Sequence, residues 1–353
     1  MPRFNRLHTG FKSLLTLAAG VLGGYMLALA GLPLPWMLGA IAGASVAAVW
    51  GLETALPRWL RNGALVVIGL MLASSIHPGI LKHIAHWPVS MTGVALYVVI
   101  ATASLYALFR RFAGFDPTTA YFASAPGGLM AMVVVGAQLG GNEQKIALTH
   151  AIRVVFVVFI VVLGSHALFG INTQHSAAVA SRSPTLTQWS LLIMVGAAGW
   201  ALGRLLRLPA AAMLGPLLVM AVARIGGVHF APVPAPLFAV AQVVIGTGIG
   251  AGFAGISLRD LLRHALLSVL AAVWLLILSA LLAWALERLT GLPFDALFLG
   301  LTPGGLSAIS IIAIALEINP AFVIAHNLFR IILITFAAPV VFRVLRRHRS
   351  GSQ

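Results

Sequence analysis

A four-residue motif occurs twice in this chain. Pro126-Gly127-Gly128-Leu129 returns as Pro303-Gly304-Gly305-Leu306, and Arg153 returns as Arg330, both 177 positions later. Two further matches are Val66-Val67-Ile68-Gly69 with Val243-Val244-Ile245-Gly246 at 177, and Met37-Leu38-Gly39 with Met213-Leu214-Gly215 at 176. Matches that keep one order and one displacement indicate an internal duplication. The chain is therefore predicted to fold as two copies of one unit.

The composition places both copies in a membrane. Hydrophobic residues make up 60% of the 353 positions and charged residues 8%, with a mean hydropathy of +1.03. A soluble domain carries about 25% charged residues, so this supply cannot cover a water-facing surface. The net charge of +15 lies mostly in short loops, where it indicates membrane orientation rather than binding to nucleic acid. The absence of cysteine excludes disulfides and thiol chemistry.

Six apolar segments are predicted in each half. They cover residues 13–30, 35–51, 62–78, 87–109, 117–139 and 146–169, then 189–206, 211–227, 236–255, 262–286, 294–316 and 321–342. The predicted fold class is an all-α polytopic integral membrane protein with two inverted repeats, each of about five transmembrane helices plus one re-entrant or broken helix. The predicted divisions are a cytoplasmic N-terminus (1–12), repeat 1 (13–170), a polar linker (171–188), repeat 2 (189–342) and a basic cytoplasmic tail (343–353).

The Pro-Gly-Gly segment of each half decides the topology. If it enters and leaves on one side, the chain makes ten crossings and both termini are cytoplasmic. Of the 22 Lys and Arg residues, leaving out the Arg153 and Arg330 pair, 16 then lie inside and 4 outside. With all twelve segments crossing, the division is 14 to 6. The positive-inside rule favours the re-entrant arrangement, while a broken helix that crosses fully stays open.

A helix broken at membrane depth has a chemical consequence. Its unpaired backbone groups cannot face lipid, so they line a cavity or bind a ligand. The amides that follow Pro126-Gly127-Gly128 and Pro303-Gly304-Gly305 begin new half-helices, whose N-termini attract anions. Two such tips are predicted to meet near the midplane and form one site. The alternative is a proline kink that only packs against a neighbour.

Arg153 and Arg330 each lie about nine residues into the last apolar segment of their half. An arginine at that depth costs several kcal/mol unless it is paired or hydrated, which marks it as a functional candidate. His150 lies one turn before Arg153, and His326 and Asn327 lie one turn before Arg330. Further candidate hydroxyl donors are Ser124, Thr302 and Ser307. The alternative is an arginine that snorkels to the interface or caps helix carbonyls.

The acidic residues point in the same direction. All seven carboxylates (Glu53, Asp116, Glu143, Asp260, Glu287, Asp295 and Glu317) lie at or near segment ends. Two deep arginines without a central acid favour an anionic substrate over a cation. His77, His83 and His86 share one short loop, where solvated side chains are more common than metal ligands. We therefore predict no metal site, no cofactor and no enzymatic activity.

The duplicated Pro-Gly-Gly-Leu segments, the Leu-Pro corners with Met-Leu-Gly, and the arginines that follow resemble the AbrB family of bacterial inner-membrane proteins. The resemblance covers residues 13–345 and both copies. The family is also catalogued as an AbrB duplication and as an ammonia monooxygenase. Its name implies regulation of gene expression, and its second label implies an oxygenase, although the sequence shows neither a DNA-binding domain nor copper or iron ligands. A more distant similarity to cation/proton antiporter and bile-acid transporter folds is an analogy of fold.

These observations predict a secondary transporter of a small organic anion, with its site at the midplane between the repeats. The alternatives are a membrane-embedded sensor or regulator and, further off, a membrane oxidoreductase. The expected partners are a small anionic molecule and the lipid bilayer, without nucleic acid, and a homodimer stays open. The expected location is the bacterial inner membrane.

Overall fold

The structure, a computed structural model, describes residues 9–52, 56–74, 87–169, 185–208, 210–256 and 258–350. Within these ranges the chain forms fourteen α-helices and one short 3-10 turn at Ala251–Phe253, and it contains no strand. Seven of these helices are long and apolar enough to cross a membrane. The prediction of an all-helical polytopic membrane protein is therefore confirmed.

The helices follow one order in both halves. The first half contains α1 (Thr9–Leu29), α2 (Pro35–Val49), α3 (Arg58–Ser74), α4 (Trp87–Phe112), α5 (Pro117–Ser124), α6 (Leu129–Gln138) and α7 (Glu143–Phe169). The second contains α8 (Leu186–Leu205), α9 (Ala211–Ile225), α10 (Ala235–Gly250), α11 (Leu258–Thr290), α12 (Phe294–Leu301), α13 (Leu306–Ala315) and α14 (Pro320–Ser350). All six predicted segments of each half are present, and the fifth is divided in both.

The helix boundaries refine the predicted divisions. Helix α1 begins at Thr9, inside the predicted N-terminal segment, and α14 continues to Ser350 through most of the predicted tail. Most of the predicted linker lies outside the described residues. Its last part is a helix start, where the Thr185 side chain accepts from the backbone N–H of Gln188 in a capping box. Helices α2 and α9 have 15 residues each, about 22 Å, which is shorter than a hydrocarbon core of about 30 Å.

The predicted breaks occur where the sequence places proline. Ala125 and Thr302 each precede a proline and have extended backbones, with ψ of 123° and 128°. A residue before proline is pushed out of the helical region by the proline ring, so α5 and α12 must end there. Gly305 then adopts a φ of +84°, a left-handed conformation that glycine takes without strain.

Helices α5 and α6 form a hairpin that returns to its starting end. The backbone N–H of Asn142, just after α6, donates to the Thr119 hydroxyl at the start of α5 (2.7 Å). A Cβ placed on Gly136 would lie 3.1 Å from the Cβ of Phe122, so the two half-helices also touch further along. The contacts make α5 and α6 antiparallel neighbours, which is the geometry of a re-entrant segment.

Single-cysteine labelling tests the re-entrant topology. Cysteines placed at Arg111, before the hairpin, and at Gln144, after it, should both react with a membrane-impermeant maleimide from the cytoplasmic side. The natural chain has no cysteine, so each label reports one position. Labelling of the two positions from opposite sides would show that the segment crosses the membrane.

The described chain forms two compact units, and each takes residues from both halves of the sequence. Unit 1 comprises residues 1–84, 158–255 and 307–321, and unit 2 comprises 85–157, 256–306 and 322–353. In unit 1, α2 packs against α1 and α10, while α9 packs against α8 and α3. In unit 2, α4 packs against α5, α11 and α12. Unit 2 contains both Pro-Gly-Gly breaks and both buried arginines.

Glycines in unit 1 allow two helix pairs to touch backbone to backbone. A Cβ on Gly39 of α2 would overlap the Gly23 backbone of α1, and a Cβ on Gly215 of α9 would overlap the Gly199 carbonyl of α8. Both pairs are related by the displacement of 176 that links the Met-Leu-Gly motifs. Small residues at such crossings are a common way to pack membrane helices, which explains why the motif occurs in both halves.

Candidate functional site

The first candidate arginine is buried in unit 2, where one described residue is its hydrogen-bond partner. Arg153 on α7 is 2% exposed, and its Nη2 lies 2.8 Å from Nδ1 of His150, one turn earlier. His150 Nε2 lies 2.9 Å from the carbonyl oxygen of Phe122 in α5. Because a guanidinium can only donate, Nδ1 accepts and Nε2 carries the proton that it donates to Phe122. His150 therefore links Arg153 to the first half-helix of the hairpin.

The second arginine is held more completely. Arg330 on α14 is also 2% exposed. Its Nη1 donates to the carbonyl oxygens of Leu301 (2.7 Å) and Thr302 (3.0 Å), at the end of α12. Its Nη2 donates to Oδ1 of Asn327 (2.7 Å). The last carbonyls of a helix have no intrahelical partner, so Arg330 caps α12, as one of the alternative interpretations of the sequence expected.

His150 and Asn327 make equivalent hydrogen bonds in the two halves. They are 177 positions apart, like the two arginines. Asn327 accepts from Arg330 through Oδ1 and donates through Nδ2 to the Leu299 carbonyl oxygen (3.2 Å), which is the counterpart of Phe122. The halves differ in Nη1 of the arginine, which caps α12 in Arg330 but has no partner among the described residues in Arg153. Among the described residues, Arg153 therefore has two nitrogen atoms without a partner, Nε and Nη1, whereas Arg330 has only Nε.

Four buried polar atoms around the arginines lack a hydrogen-bond partner within the described chain. They are Nε and Nη1 of Arg153, Nε of Arg330 and the hydroxyl of Tyr97 on α4, which is fully buried. The two guanidinium groups and the Tyr97 side chain are close enough to interact electrostatically. Ser279 lies beside Tyr97 and donates its own proton to the Leu275 carbonyl oxygen (2.8 Å), so its oxygen can accept from the Tyr97 hydroxyl. In the described part of the chain, no carboxylate pairs with either arginine.

Each Pro-Gly-Gly break lies beside the arginine helix of the other half. A Cβ on Gly128 would meet Ile331, the residue after Arg330, at 3.9 Å, and a Cβ on Gly305 would meet Val154, the residue after Arg153, at the same distance. The breaks and arginines thus lie together in one compact unit. Helix α6 starts at this place, so its first amides add partial positive charge.

Two of the remaining predicted site residues donate hydrogen bonds to backbone carbonyl oxygens. The hydroxyls of Ser124 and Thr302 donate to the carbonyl oxygens of Tyr121 and Phe298, both at 2.7 Å. Gly127 has no room for a side chain, since a Cβ would lie 2.7 Å from Ile334. The remaining positions of the two motifs are the buried Pro126, Pro303 and Gly304. Ser307, half-buried in the first turn of α13, belongs to unit 1.

His326 contacts α4 rather than Arg330. Its Nδ1 donates to the Phe322 carbonyl oxygen (2.8 Å), its Nε2 lies 2.7 Å from the Ser90 hydroxyl, and its ring stacks on Phe322. Neither Ser90 nor Tyr97 was predicted from the sequence as a polar partner in the core of unit 2. The signal that could have found Tyr97 is its position in the middle of an apolar helix, since the chain has only four tyrosines.

The equivalence of His150 and Asn327 predicts that asparagine can replace His150 without loss of stability, whereas leucine cannot. His150→Asn should keep both hydrogen bonds, since an amide can accept from Arg153 and donate to Phe122, and its melting temperature should stay close to the parent's. His150→Leu should lower the melting temperature, because it strands a buried carbonyl and a guanidinium N–H at about 1–3 kcal/mol each. Equal melting temperatures for the two variants in detergent would contradict this assignment.

The described carboxylates lie at helix ends, as predicted. Asp116 caps the start of α5 and accepts from the Thr119 backbone N–H (2.9 Å), while Glu143, Glu287, Asp295 and Glu317 lie at other helix termini. Among the described residues, no group of three or more His, Asp or Glu side chains could hold a metal ion. The loop with His77, His83 and His86 lies outside the described residues.

Comparisons with known proteins agree with the resemblance seen in the sequence. The chain is 30% identical over 319 residues to the "Putative regulator AbrB" of Escherichia coli (strain K12), covering 89% of this chain and 90% of that protein. It is 27% identical over 372 residues to the "Uncharacterized protein YhjN" of Bacillus subtilis (strain 168), covering 97% and 95%. The sequence pattern of the family described as "Transition state regulatory protein AbrB" matches residues 36–346. The chain therefore belongs to the AbrB family.

Proposed function

We propose that this membrane protein is a secondary transporter of a small organic anion, in the bacterial inner membrane with both termini cytoplasmic. The observation that carries the proposal is the state of Arg153. Its guanidinium is 2% exposed, and among the described residues it has one hydrogen-bond partner and two nitrogen atoms without any. Leaving such a charge buried without a counter-ion costs several kcal/mol. An anion bound there would recover that cost.

The surroundings of Arg153 favour an anion over a cation. Arg330 and Tyr97 supply a second positive charge and a further hydroxyl, and the amides at the start of α6 add partial positive charge. A carboxylate accepts charge-assisted hydrogen bonds from a guanidinium, and Nε and Nη1 of Arg153, which lack a partner among the described residues, offer two donors. A small carboxylate therefore fits the proposed site better than a metal ion or an amine.

Two measurements test the proposal. Purified protein in detergent should gain thermal stability from members of a panel of mono- and dicarboxylates, and choline should leave it unchanged. The stabilising carboxylate should then accumulate in proteoliposomes when a proton or sodium gradient is applied. Stabilisation by choline alone would contradict an anion site, because two guanidiniums with no carboxylate counter-ion among the described residues repel a cation.

The name of the Escherichia coli relative supports a second candidate, a membrane-embedded sensor that acts on a regulatory partner. The same anion site would serve a sensor, whose ligand changes a conformation without crossing the membrane. Proteoliposomes separate the two functions. A carboxylate that stabilises the protein but is not accumulated under any imposed gradient would favour the sensor.

A further inference from the structure

An apolar cleft runs through unit 2 along the hairpin. Its volume is about 900 Å³, within the range of small-molecule sites. Its walls come from α4, α5 and α14, with Gly140 and Leu139 from the end of α6. The lining residues are nearly all apolar, and the four hydroxyl groups among them belong to Thr102, Tyr106, Thr118 and Tyr121. The Tyr121 hydroxyl already donates to the Ala338 carbonyl oxygen (3.1 Å).

The inner end of the cleft lies at the break of the hairpin. Along α5 the lining passes from Pro117 through Tyr121 to Ala125, the last residue before the proline. Along α14 it passes from Phe342 inward to Leu333 and Ile334, about 14 Å of helix. Ile334 also contacts Gly127 in the break. The cleft therefore leads from the outer end of the hairpin to its tip.

The α14 wall of the cleft continues to Arg330. Residues three and four apart share one face of a helix, so Arg330 lies one turn inward from Leu333 and Ile334 on the same face. Arg330 in turn interacts electrostatically with Arg153. One end of an apolar cleft thus adjoins the positive charges of the proposed anion site. The wall is also open to the surroundings, since Val99 is 65% exposed and Val341 45% exposed, and in a membrane protein those surroundings are lipid.

From this arrangement we infer that the substrate is an amphipathic anion, whose charged head binds at Arg153 and Arg330 and whose hydrocarbon tail lies in the cleft. The inference rests on the proposed function and adds the substrate class. The mostly apolar lining offers little to replace the hydration of a second carboxylate. An alkyl chain in the cleft instead gains free energy from each methylene that is removed from water. A single-headed acid with an alkyl chain satisfies both ends.

A chain-length series of carboxylates tests the inference on the purified full-length protein. Affinities for butanoate, hexanoate, octanoate and decanoate should rise by about fourfold per methylene, which corresponds to about 0.8 kcal/mol. The rise should level off once the tail reaches the outer end of the cleft. Equal affinities across the series would overturn the cleft assignment but leave the anion site intact, whereas failure of every carboxylate to bind would overturn both.

Two matched alanines on α4 separate the cleft from general hydrophobic binding. Ala103 and Ala107 are both exposed and one turn apart, but Ala103 lines the cleft and Ala107 does not. Ala103→Phe should weaken octanoate binding at least tenfold and leave acetate binding unchanged, because it fills space that only the tail uses. Ala107→Phe should change neither affinity. Octanoate affinity that is equal in the two variants would overturn the inference, since the tail would then lie elsewhere.

Discussion

Gly39→Ala is expected to destabilise the protein by about 3 kcal/mol or more, because overpacking at a close contact forces backbone shifts. The added methyl group would overlap the Gly23 carbonyl of the neighbouring helix α1. Backbone atoms cannot rotate away as a side chain can, so α1 and α2 must separate along their contact. The helix pair would then lose the dispersion contacts that hold membrane helices together. The measurement is the thermal unfolding temperature in detergent, followed by fluorescence-detected gel filtration.

Gly63→Ala is the matched control for this prediction. Gly63 lies inside α3, is exposed, and has no atom within 4 Å of a Cβ placed on it. Alanine is a better helix former than glycine by about 1 kcal/mol, so this variant should be as stable as the parent or more so. Equal unfolding temperatures for Gly39→Ala and Gly63→Ala would show that α1 and α2 are not in backbone contact.

Arg153→Lys is expected to weaken anion binding about tenfold or more, which is roughly 1.4 kcal/mol. A guanidinium presents parallel donors to a carboxylate, and the single ammonium of lysine reproduces that geometry poorly. Arg153→Met should cost more, about 2–5 kcal/mol of binding free energy, because it removes the charge that the ligand neutralises. Isothermal titration with the carboxylate that stabilises the parent protein would measure both losses.

Arg330→Lys provides the comparison. Two of the donors of Arg330 hold the carbonyl oxygens of Leu301 and Thr302, so its replacement should lower the melting temperature as well as the affinity. Arg153 caps no helix end in the described chain, and Arg153→Lys should stay near the melting temperature of the parent. If Arg153→Lys bound the carboxylate with an affinity within twofold of the parent's, the anion hypothesis would be wrong.

The sequence predicted the breaks correctly because their cause is local. A proline excludes the helical conformation for the residue before it, whatever surrounds Ala125 or Thr302. The position of each arginine within its helix was also predictable, because apolar residues flank Arg153 and Arg330 on both sides. The duplication added that both features occur together in each half. The hairpin observed at the first break is compatible with the re-entrant arrangement that the distribution of Lys and Arg along the chain favours.

The sequence did not reveal that the two arginines differ. Their flanking residues look alike, yet Arg330 caps α12 while Nη1 of Arg153 lacks a partner. The difference depends on carbonyl oxygens 28 and 29 residues away in the chain, which no local pattern specifies. The displacement of 177 already pairs His150 with Asn327, but only the structure shows that the two side chains make equivalent hydrogen bonds to their arginine and to α5 or α12.

The sequence by itself determined the membrane environment, the helix order, the duplication and the positions of breaks and buried charges, because hydropathy and proline act over one or two turns. The tertiary structure decided which helices pack together, so that each compact unit draws on both halves of the chain. It also decided that each break lies beside the arginine helix of the other half, and that the buried Tyr97 lies within electrostatic range of both arginines. Such contacts arise from side-chain packing between segments far apart in sequence, where many apolar faces are alike in composition and differ only in shape.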